Sequence, residues 1–217
     1  SDTTEFSEDK AILTAVTDEN GVFVFNNIPY GEYLIKELKP ADGYLDNEDV
    51  FTVTIKDNEQ VVKLTAINDK VPELKTTATV NGKKEVIAKG EITIKDTVEY
   101  KHLVPNTEYV IKGTLMDKAT GKPFKVKGKE ITSTVKFVPD KADGKVEVTF
   151  TFDGSAIKKD TKLVVFETLY RDGVELTAHA DINDDGQTVT IKPYIPHNPK
   201  TGDDRNIGTW IGLSGVG

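Results

Sequence analysis

The chain of 217 residues contains no cysteine, so disulfide bonds and thiolate metal sites are excluded. Its three histidines are well separated and lack His-x-x-x-His spacing, which argues against a zinc site. Basic residues are also outnumbered, at 28 against 36 acidic, with a net charge of -8 and an isoelectric point near 5.0. Nucleic acid is therefore not expected as a partner, because phosphate binding relies on clustered Lys and Arg.

Long helical periodicity is missing as well, since no run of about 12 residues keeps a 3.6-residue apolar repeat. Apolar and polar residues instead alternate in many short segments rich in Val, Ile, Thr, Phe and Tyr, separated by Gly, Asn and Asp turn signals. The segments are GVFVFNNI, EYLIKEL, VFTVTIKD, EITIKDTVEY, TEYVIKGTL, KVEVTFTF, KLVVFETLY and QTVTIKP. This pattern predicts an all-β protein of two tandem antiparallel Ig-like β-sandwiches.

Three regions are expected. The segment AINDKVPELKTT ends one β series and begins another, with Pro72 inside it, which places a domain boundary near residue 70. We predict a first sandwich over residues 1–70, a second over 71–193, and a linker and disordered tail over 194–217. No signal peptide is visible, and the chain begins within a strand-rich region, so we expect its N-terminus to be a cut end.

The first region carries a dense motif, TDENGVFVFNNIPYGEYLIKELKPADGYL, over residues 17–45. It resembles the Cna-type B repeats of Gram-positive adhesins and pilins. Many members of that family close an isopeptide bond between a first-strand lysine and a last-strand asparagine, assisted by a buried acid. The resemblance implies Glu37 as the acid and Asn68 as the asparagine. Lys10 does not match the lysine position, so we expect that lysine on a strand upstream of Ser1.

The second region contains LKTTATVNGKKE, IKDTVEY, VVFETLY and HADINDDGQTVTI. Together these resemble the VaFE, or Thr-Gln ester-bond, domain of Gram-positive surface proteins, over about residues 72–193. The resemblance implies an intramolecular ester and no metal or cofactor. It assigns the nucleophile to Thr76, with Thr77 as the fallback, and the acceptor to Gln187. The assisting residues would be Asp96, Glu167 and His179.

These residue types suit an ester-forming reaction. A threonine hydroxyl must lose its proton to a base before it attacks, and the near-neutral pKa of histidine suits that role. A glutamine carboxamide reacts only when its oxygen is polarised, which a carboxylic acid kept neutral by apolar surroundings can do. Glu167 follows Val164, Val165 and Phe166 and has such surroundings. Asp96 would share a proton with it or orient the attack.

Simpler interpretations stay open at each position. Asp96 could cap a turn, Glu37 could face solvent, His179 could be an ordinary loop or core histidine, and His102 and His197 are expected in solvent. The acidic run DINDDGQ also offers oxygen ligands for calcium, although it lacks EF-hand spacing and a closing glutamate. Its candidate ligands are Asp181, Asn183, Asp184 and Asp185.

The C-terminal segment NPKTGDD resembles the LPxTG-type sorting signal of Gram-positive surface proteins, with asparagine in place of leucine. Sortase and peptidoglycan would then be partners, and the chain would be secreted and anchored to the cell wall. The apolar run after Ile207 is shorter than the roughly 20 residues that span a bilayer. An ordinary Pro/Gly tail is the alternative. The motif consists of Asn198, Pro199, Lys200, Thr201 and Gly202.

The combined prediction is a structural stalk of an adhesin or pilin-like protein, stabilised by the ester. An enzyme acting on external substrates is not expected, because the candidate residues lie on strands predicted to be interior. A module that binds host matrix protein or glycan is the alternative. Its recognition loops would lie in NGKKEVIAKG or KPFKVKGKE, where lysines cluster.

Overall fold

The structure is a computed structural model that describes residues 5–196. The sorting motif of residues 198–202 and His197 lie outside the described residues. The expected all-β fold is confirmed: strands dominate, and the one helical element named in the described part is a 3₁₀ turn, η1. Within these residues, no helix is long and apolar enough to cross a bilayer.

Fourteen strands and η1 follow one another along the described part of the chain. They are β1 Gly31–Lys36, β2 Val50–Ile55, β3 Glu73–Val80, β4 Glu85–Ala88, β5 Glu91–Lys101, β6 Tyr109–Asp117, β7 Lys122–Pro123, β8 Lys125–Val126, β9 Lys129–Glu130, β10 Thr132–Phe137, β11 Gly144–Asp153, η1 Gly154–Ala156, β12 Thr161–Arg171, β13 Val174–His179 and β14 Thr188–Pro193.

Among residues 5–70, regular strand pairing is confined to β1 and β2, which form an antiparallel two-stranded sheet. The segment 21–28 was expected to be a strand and is not one. Its alternation is strong, but Val22, Phe23 and Val24 all stay exposed, and no strand pairs with it among the described residues. Period-2 alternation identifies a segment that suits a sheet face, whereas a strand also needs a hydrogen-bonded neighbour.

The second region packs two sheets face to face. A three-stranded sheet has the order β11-β5-β3, and a seven-stranded sheet has the order β10-β6-β12-β14-β4, with β13 on β12 and β7 on β6. Alternate residues of β5 and β11 are buried, as are alternate residues of β12 from Val165 onward, as the sequence alternation predicts. The sheets approach closely at Gly113 of β6, where an added Cβ would lie 2.5 Å from Cζ of Phe150 on β11.

The two regions join without a long linker. Val71 N donates to Gly43 O at 2.9 Å, and Leu45 N donates to Asp69 O at 2.8 Å, just before β3 begins. Arg171, the last residue of β12, forms an ion pair with Asp69 at 2.7 Å. The junction is therefore held by backbone hydrogen bonds and by one side-chain pair.

One edge of β12 is divided between two partners. Its C-terminal half pairs with β13, ending at Glu167 opposite His179, and its N-terminal half pairs with β14, ending at Val164 opposite Thr188. Val165 N donates to Gln187 O at 3.2 Å between the two ladders. The loop from β13 to β14 enters at this division, so side chains from three segments meet there.

Candidate functional site: a buried polar cluster

Four buried polar or charged side chains stand out in a core that is otherwise apolar over residues 5–196. They come from well-separated positions in the sequence and are 0 to 4% exposed. Burial of such groups is costly unless they are paired. These four residues are all among those assigned from the sequence: Thr76, Asp96, Glu167 and Gln187.

The nucleophile candidate lies on β3, at the edge of the three-stranded sheet. Thr76 is 4% exposed, whereas Thr77 is exposed. Successive residues of a strand point to opposite faces, so a shift of one residue would exchange them. The fold therefore directs the Thr76 hydroxyl into the core and the Thr77 hydroxyl into solvent.

Asp96 shares the inner face of this sheet with Thr76. On the neighbouring strand β5, Asp96 lies opposite Ala78, and Val98 lies opposite Thr76. Directly opposed residues of an antiparallel pair project to the same face. Asp96 and Thr76 are thus diagonal neighbours, and Asp96 caps no turn because it sits in the middle of an eleven-residue strand.

Glu167 and Gln187 contact each other from the facing sheet. Gln187 Nε2 donates to Glu167 Oε2 at 2.7 Å. The expectation from the sequence was that Glu167 would polarise the carboxamide oxygen, but the structure places the carboxamide nitrogen on it. That nitrogen is the atom that would leave as ammonia in ester formation.

The cluster is left with unpaired oxygens when both acids are ionised. Thr76 Oγ1, both Asp96 oxygens, Glu167 Oε1 and Gln187 Oε1 are buried without a hydrogen-bond partner among the described residues. Two carboxylates cannot donate to each other, whereas one proton between Asp96 and Glu167 provides a donor. A protonated Glu167 therefore relieves part of the deficit.

Burial makes that proton stable. Loss of solvation, followed by the hydrogen bond to Asp96 and the charge of Asp96, raises the pKa of Glu167 to about 11. Burial also raises the pKa of Asp96, while the hydrogen bond from Glu167 and the charges of Lys84 and His179 oppose that rise. Like charges in one site push two pKa values apart, so the proton resides on Glu167 and the charge on Asp96.

His179 lies at the rim of the cluster. It is opposite Glu167 across β12 and β13, and its Nε2 hydrogen-bonds Asp184 Oδ2 at 2.8 Å. Its side chain is 26% exposed. The hydrogen bond from His179, and then the backbone N–H groups of Gly186 and Gln187, lower the pKa of Asp184. Asp184 therefore connects the histidine to the backbone at Gln187.

Sequence reasoning missed the role of Asp184 and counted it among four possible calcium ligands. In the structure it holds His179 and accepts from Gly186 N at 2.6 Å, while Asp181 accepts from Asn183 N at 2.9 Å. Their oxygens thus order the loop. Among residues 5–196, no group of three His, Asp or Glu side chains is placed to hold a metal ion. The sequence feature that could have indicated this contact is the separation of five residues between His179 and Asp184.

Lys84 was also missed, because it lies in the lysine-rich stretch considered only as a possible recognition loop. Its Nζ donates to Ala78 O at 2.7 Å and to Gly186 O at 2.5 Å. Ala78 N also donates to Gly186 O, at 3.0 Å. Burial lowers the pKa of Lys84, and the charge of Asp96 is the largest opposing cause.

The two candidates in the first region also meet. Asn68 Nδ2 donates to both carboxylate oxygens of Glu37, at 2.9 and 2.8 Å, and Asn47 Nδ2 donates to Asn68 Oδ1 at 3.0 Å. Glu37 is only partly buried. Lys10 instead forms an ion pair with Glu5, and no lysine forms an ion pair with Glu37 within the described part of the chain.

Comparison with solved structures shows the fold. Two crystal forms of a bacterial adhesin from Mobiluncus mulieris, described as containing intramolecular disulfide, isopeptide and ester bond cross-links, each match with a TM-score of 0.50 and 20% identity. The match covers 58% of this chain and 58% of the adhesin chain. The major pilin subunit of Bacillus cereus matches at a TM-score of 0.39 and 18% identity, over 82% of this chain and 59% of the pilin.

Family models identify both regions, although no curated protein matches the sequence significantly. Residues 2–70 match a prealbumin-like fold domain. Residues 72–191, more than half of the chain, match the T-Q ester bond containing domain. The chain therefore belongs to the T-Q ester bond containing domain family.

Proposed function

We propose that the second region closes an ester between Thr76 Oγ1 and the side-chain carbonyl carbon of Gln187, by a reaction of the folded chain on itself. The observation that carries this proposal is the buried cluster of Thr76, Asp96, Glu167 and Gln187. Unpaired buried polar groups each cost about 1–3 kcal/mol. Such a cost is explicable when the groups are reactants rather than structural contacts.

The chemistry balances within the cluster. Thr76 Oγ1 attacks the Gln187 carbonyl carbon and passes its proton to Asp96, and Glu167 gives its proton to the departing nitrogen. The C–N bond breaks, ammonia leaves, and the Asp96–Glu167 pair again holds one proton. Glu167 suits this role because it contacts Nε2 at 2.7 Å and its pKa is raised to about 11.

We assign the base to Asp96 instead of the histidine expected from the sequence. Asp96 shares the inner face with Thr76 and carries the charge of the Asp96–Glu167 pair, because the shared proton resides on Glu167. His179 is engaged by Asp184 at the rim. Its position opposite Glu167 lets it stabilise the charge on Asp96, since a nearby cation favours the ionised carboxyl.

The biological role that we propose is a structural stalk in a cell-surface adhesin or pilin-like protein. An ester from the first strand to the last closes most of the second region into one covalent ring. A cross-link over about 100 residues restricts the unfolded chain by roughly 4.7 kcal/mol in the entropic view. Load entering at β3 and leaving after β14 would pass through the ester instead of through strand hydrogen bonds.

Attachment and partners complete the proposal. The NPKTG motif would be cut between Thr201 and Gly202 by a sortase and joined to peptidoglycan on a Gram-positive cell. Host ligands would be bound by other parts of the full-length protein, and no external substrate is turned over. The surface depressions lined by Phe6 and by Val80, of about 190 and 360 Å³, include none of the four buried polar residues.

Intact-protein mass spectrometry tests the ester. The wild-type chain should weigh less than its calculated mass by one ammonia, and digestion should yield a peptide that joins β3 to β14. Gln187→Ala should restore the full mass. A wild-type chain of full mass would refute the ester, and tight binding of a glycan or matrix protein by this chain would favour the ligand-binding module.

A further inference from the structure

We propose that Lys84 is a positioning residue for ester formation: its ammonium holds the nucleophile strand against the loop that carries Gln187. This inference rests on the proposed ester and adds a residue to that site. Lys84 lies at the end of the connection between β3 and β4, directly before β4.

The geometry of the ammonium carries the proposal. Ala78 is two residues after Thr76 on the same face of β3, and Gly186 directly precedes Gln187. Lys84 Nζ donates to the carbonyl oxygens of both, at 2.7 and 2.5 Å. β3 belongs to the three-stranded sheet, and the loop of Gly186 leads into β14 of the seven-stranded sheet, so this contact joins the two sheets next to the reacting residues.

The close packing around Gly186 indicates that the Lys84 contact affects the position of Gln187. Gly186 is closely surrounded, since an added Cβ would lie 2.8 Å from Asp184 Oδ1, which would have to move, and in van der Waals contact with Thr76 O at 3.5 Å. The Gly186 carbonyl accepts from both Ala78 N and Lys84 Nζ. Small misplacements of reacting groups cost on the order of 100-fold in rate, so two donors on this carbonyl would define the approach of Gln187.

The ammonium of Lys84 also affects the ionisation of Asp96. The charged groups that face the ammonium are Asp96 on β5 and Asp184 and Asp185 on the loop. Among them, Asp96 raises the pKa of Lys84 the most. In return, Lys84 is the leading cation that keeps the pKa of Asp96 from rising further. A cation here keeps Asp96 ionised and ready to accept the Thr76 proton, while the shared proton stays on Glu167.

The test compares three variants of the full chain made by cell-free synthesis, with samples quenched in acid at intervals and weighed intact. Lys84→Met removes the charge and the donors, and we expect ammonia loss to slow on the order of tenfold to a hundredfold. Lys84→Arg keeps both and should restore most of the rate. The matched control is Lys83→Met, at the neighbouring residue, which is exposed as Lys84 is, and it should react like the wild type.

A second measurement separates positioning from folding. In a Thr76→Val background, where no ester forms, Lys84→Met should leave the melting temperature close to that of Thr76→Val alone. The same substitution should nevertheless slow linkage in the reactive chain. If Lys84→Met links as fast as wild type, or if its slowing is matched by a loss of folded protein and Lys84→Arg gives no rescue, the inference is wrong although the ester stands. A wild-type chain that never loses ammonia would overturn both proposals.

Discussion

The carboxamide nitrogen of Gln187 lies 2.7 Å from Glu167 Oε2, although Glu167 lies on β12 and Gln187 on the loop before β14, and both are almost fully buried. A glutamine that only filled space in this core would be replaceable by leucine at lower cost. The contact instead places an acid on the atom that leaves. The predictions below follow from that arrangement and from the side chains around it.

The first prediction concerns which threonine reacts. Thr76→Val should leave the chain at full mass and lower its free energy of unfolding by about 2–4 kcal/mol, the usual effect of losing a covalent cross-link. Valine keeps the shape of threonine, so little is lost from packing. Thr77→Val is the matched control and should still lose one ammonia. The opposite pattern would show that β3 is shifted by one residue.

The second prediction concerns the acid. Glu167→Gln keeps the size of the side chain but removes the proton that the departing nitrogen needs. General acid catalysis contributes about 10²–10⁴-fold to a reaction rate. Ammonia loss should slow by that order while the fold persists. Time-resolved intact mass and circular dichroism would measure both. Rapid linkage in Glu167→Gln would show that the nitrogen leaves without this carboxyl.

The third prediction concerns pH in an unlinked chain, Thr76→Val. The pKa of Glu167 is raised from 4.5 to about 11, so the folded state holds a proton that the unfolded chain releases as pH rises through this window. The free energy of unfolding should therefore be highest at the acid end and fall as pH rises, by at most about 1.4 kcal/mol per pH unit. Urea titrations between about pH 5 and about pH 8 would measure it.

Its control is the double variant Thr76→Val with Glu167→Gln, which has lost the titrating group. The difference between the two pH profiles isolates Glu167 from the other acids of the chain. Parallel profiles would mean that Glu167 is ionised in the folded protein, which would remove the acid from the proposed reaction.

The fourth prediction concerns Asp184. Asp184→Asn should slow linkage, because it weakens the contact to His179 and the acceptor for Gly186 N. Asp185→Asn removes the same charge from the adjacent residue, whose side chain is 98% exposed, and should link normally. Equal slowing by both variants would mean that the loop needs negative charge in general and not this contact.

The fifth prediction concerns the first region. Glu37 and Asn68 are hydrogen-bonded, but Lys10 is paired elsewhere. The 217-residue chain should therefore lose one ammonia and not two, and Asn68→Ala should leave that mass loss unchanged. A longer chain that includes the natural upstream segment should lose a second ammonia that depends on Asn68. An unchanged loss in that longer chain would contradict the isopeptide assignment.

Sequence alone predicted much of this arrangement, because apolar–polar alternation is a local property that indicates which face of a strand suits a core. The alternation placed β5, β11, β12 and β14, and the family motif singled out the four polar residues that prove to be buried. The alternation failed as a predictor for residues 21–28, where the pattern favours a strand but no pairing partner is present among the described residues. Partners depend on contacts between distant segments, which a single pattern does not encode.

The same limit explains the missed residues. Lys84 lies in a run of polar residues after a turn, where nothing local separates a solvated lysine from one that binds two carbonyl groups. The orientation of the Gln187 carboxamide was also beyond the sequence, because it depends on which atom meets Glu167. Both depend on where the loop between β13 and β14 lies, and contacts between distant segments decide that position.

The positions of Thr76 on β3 and Gln187 beside β14 have a topological consequence. Once the ester exists, the polypeptide is no longer a linear thread: it is a closed loop with two tails, and it stays so even when fully denatured. A channel that admits one extended strand cannot pass such a loop. In the proposed surface protein, export through a narrow translocation pore would therefore have to precede folding, and a protease that threads its substrates would stall at the same point.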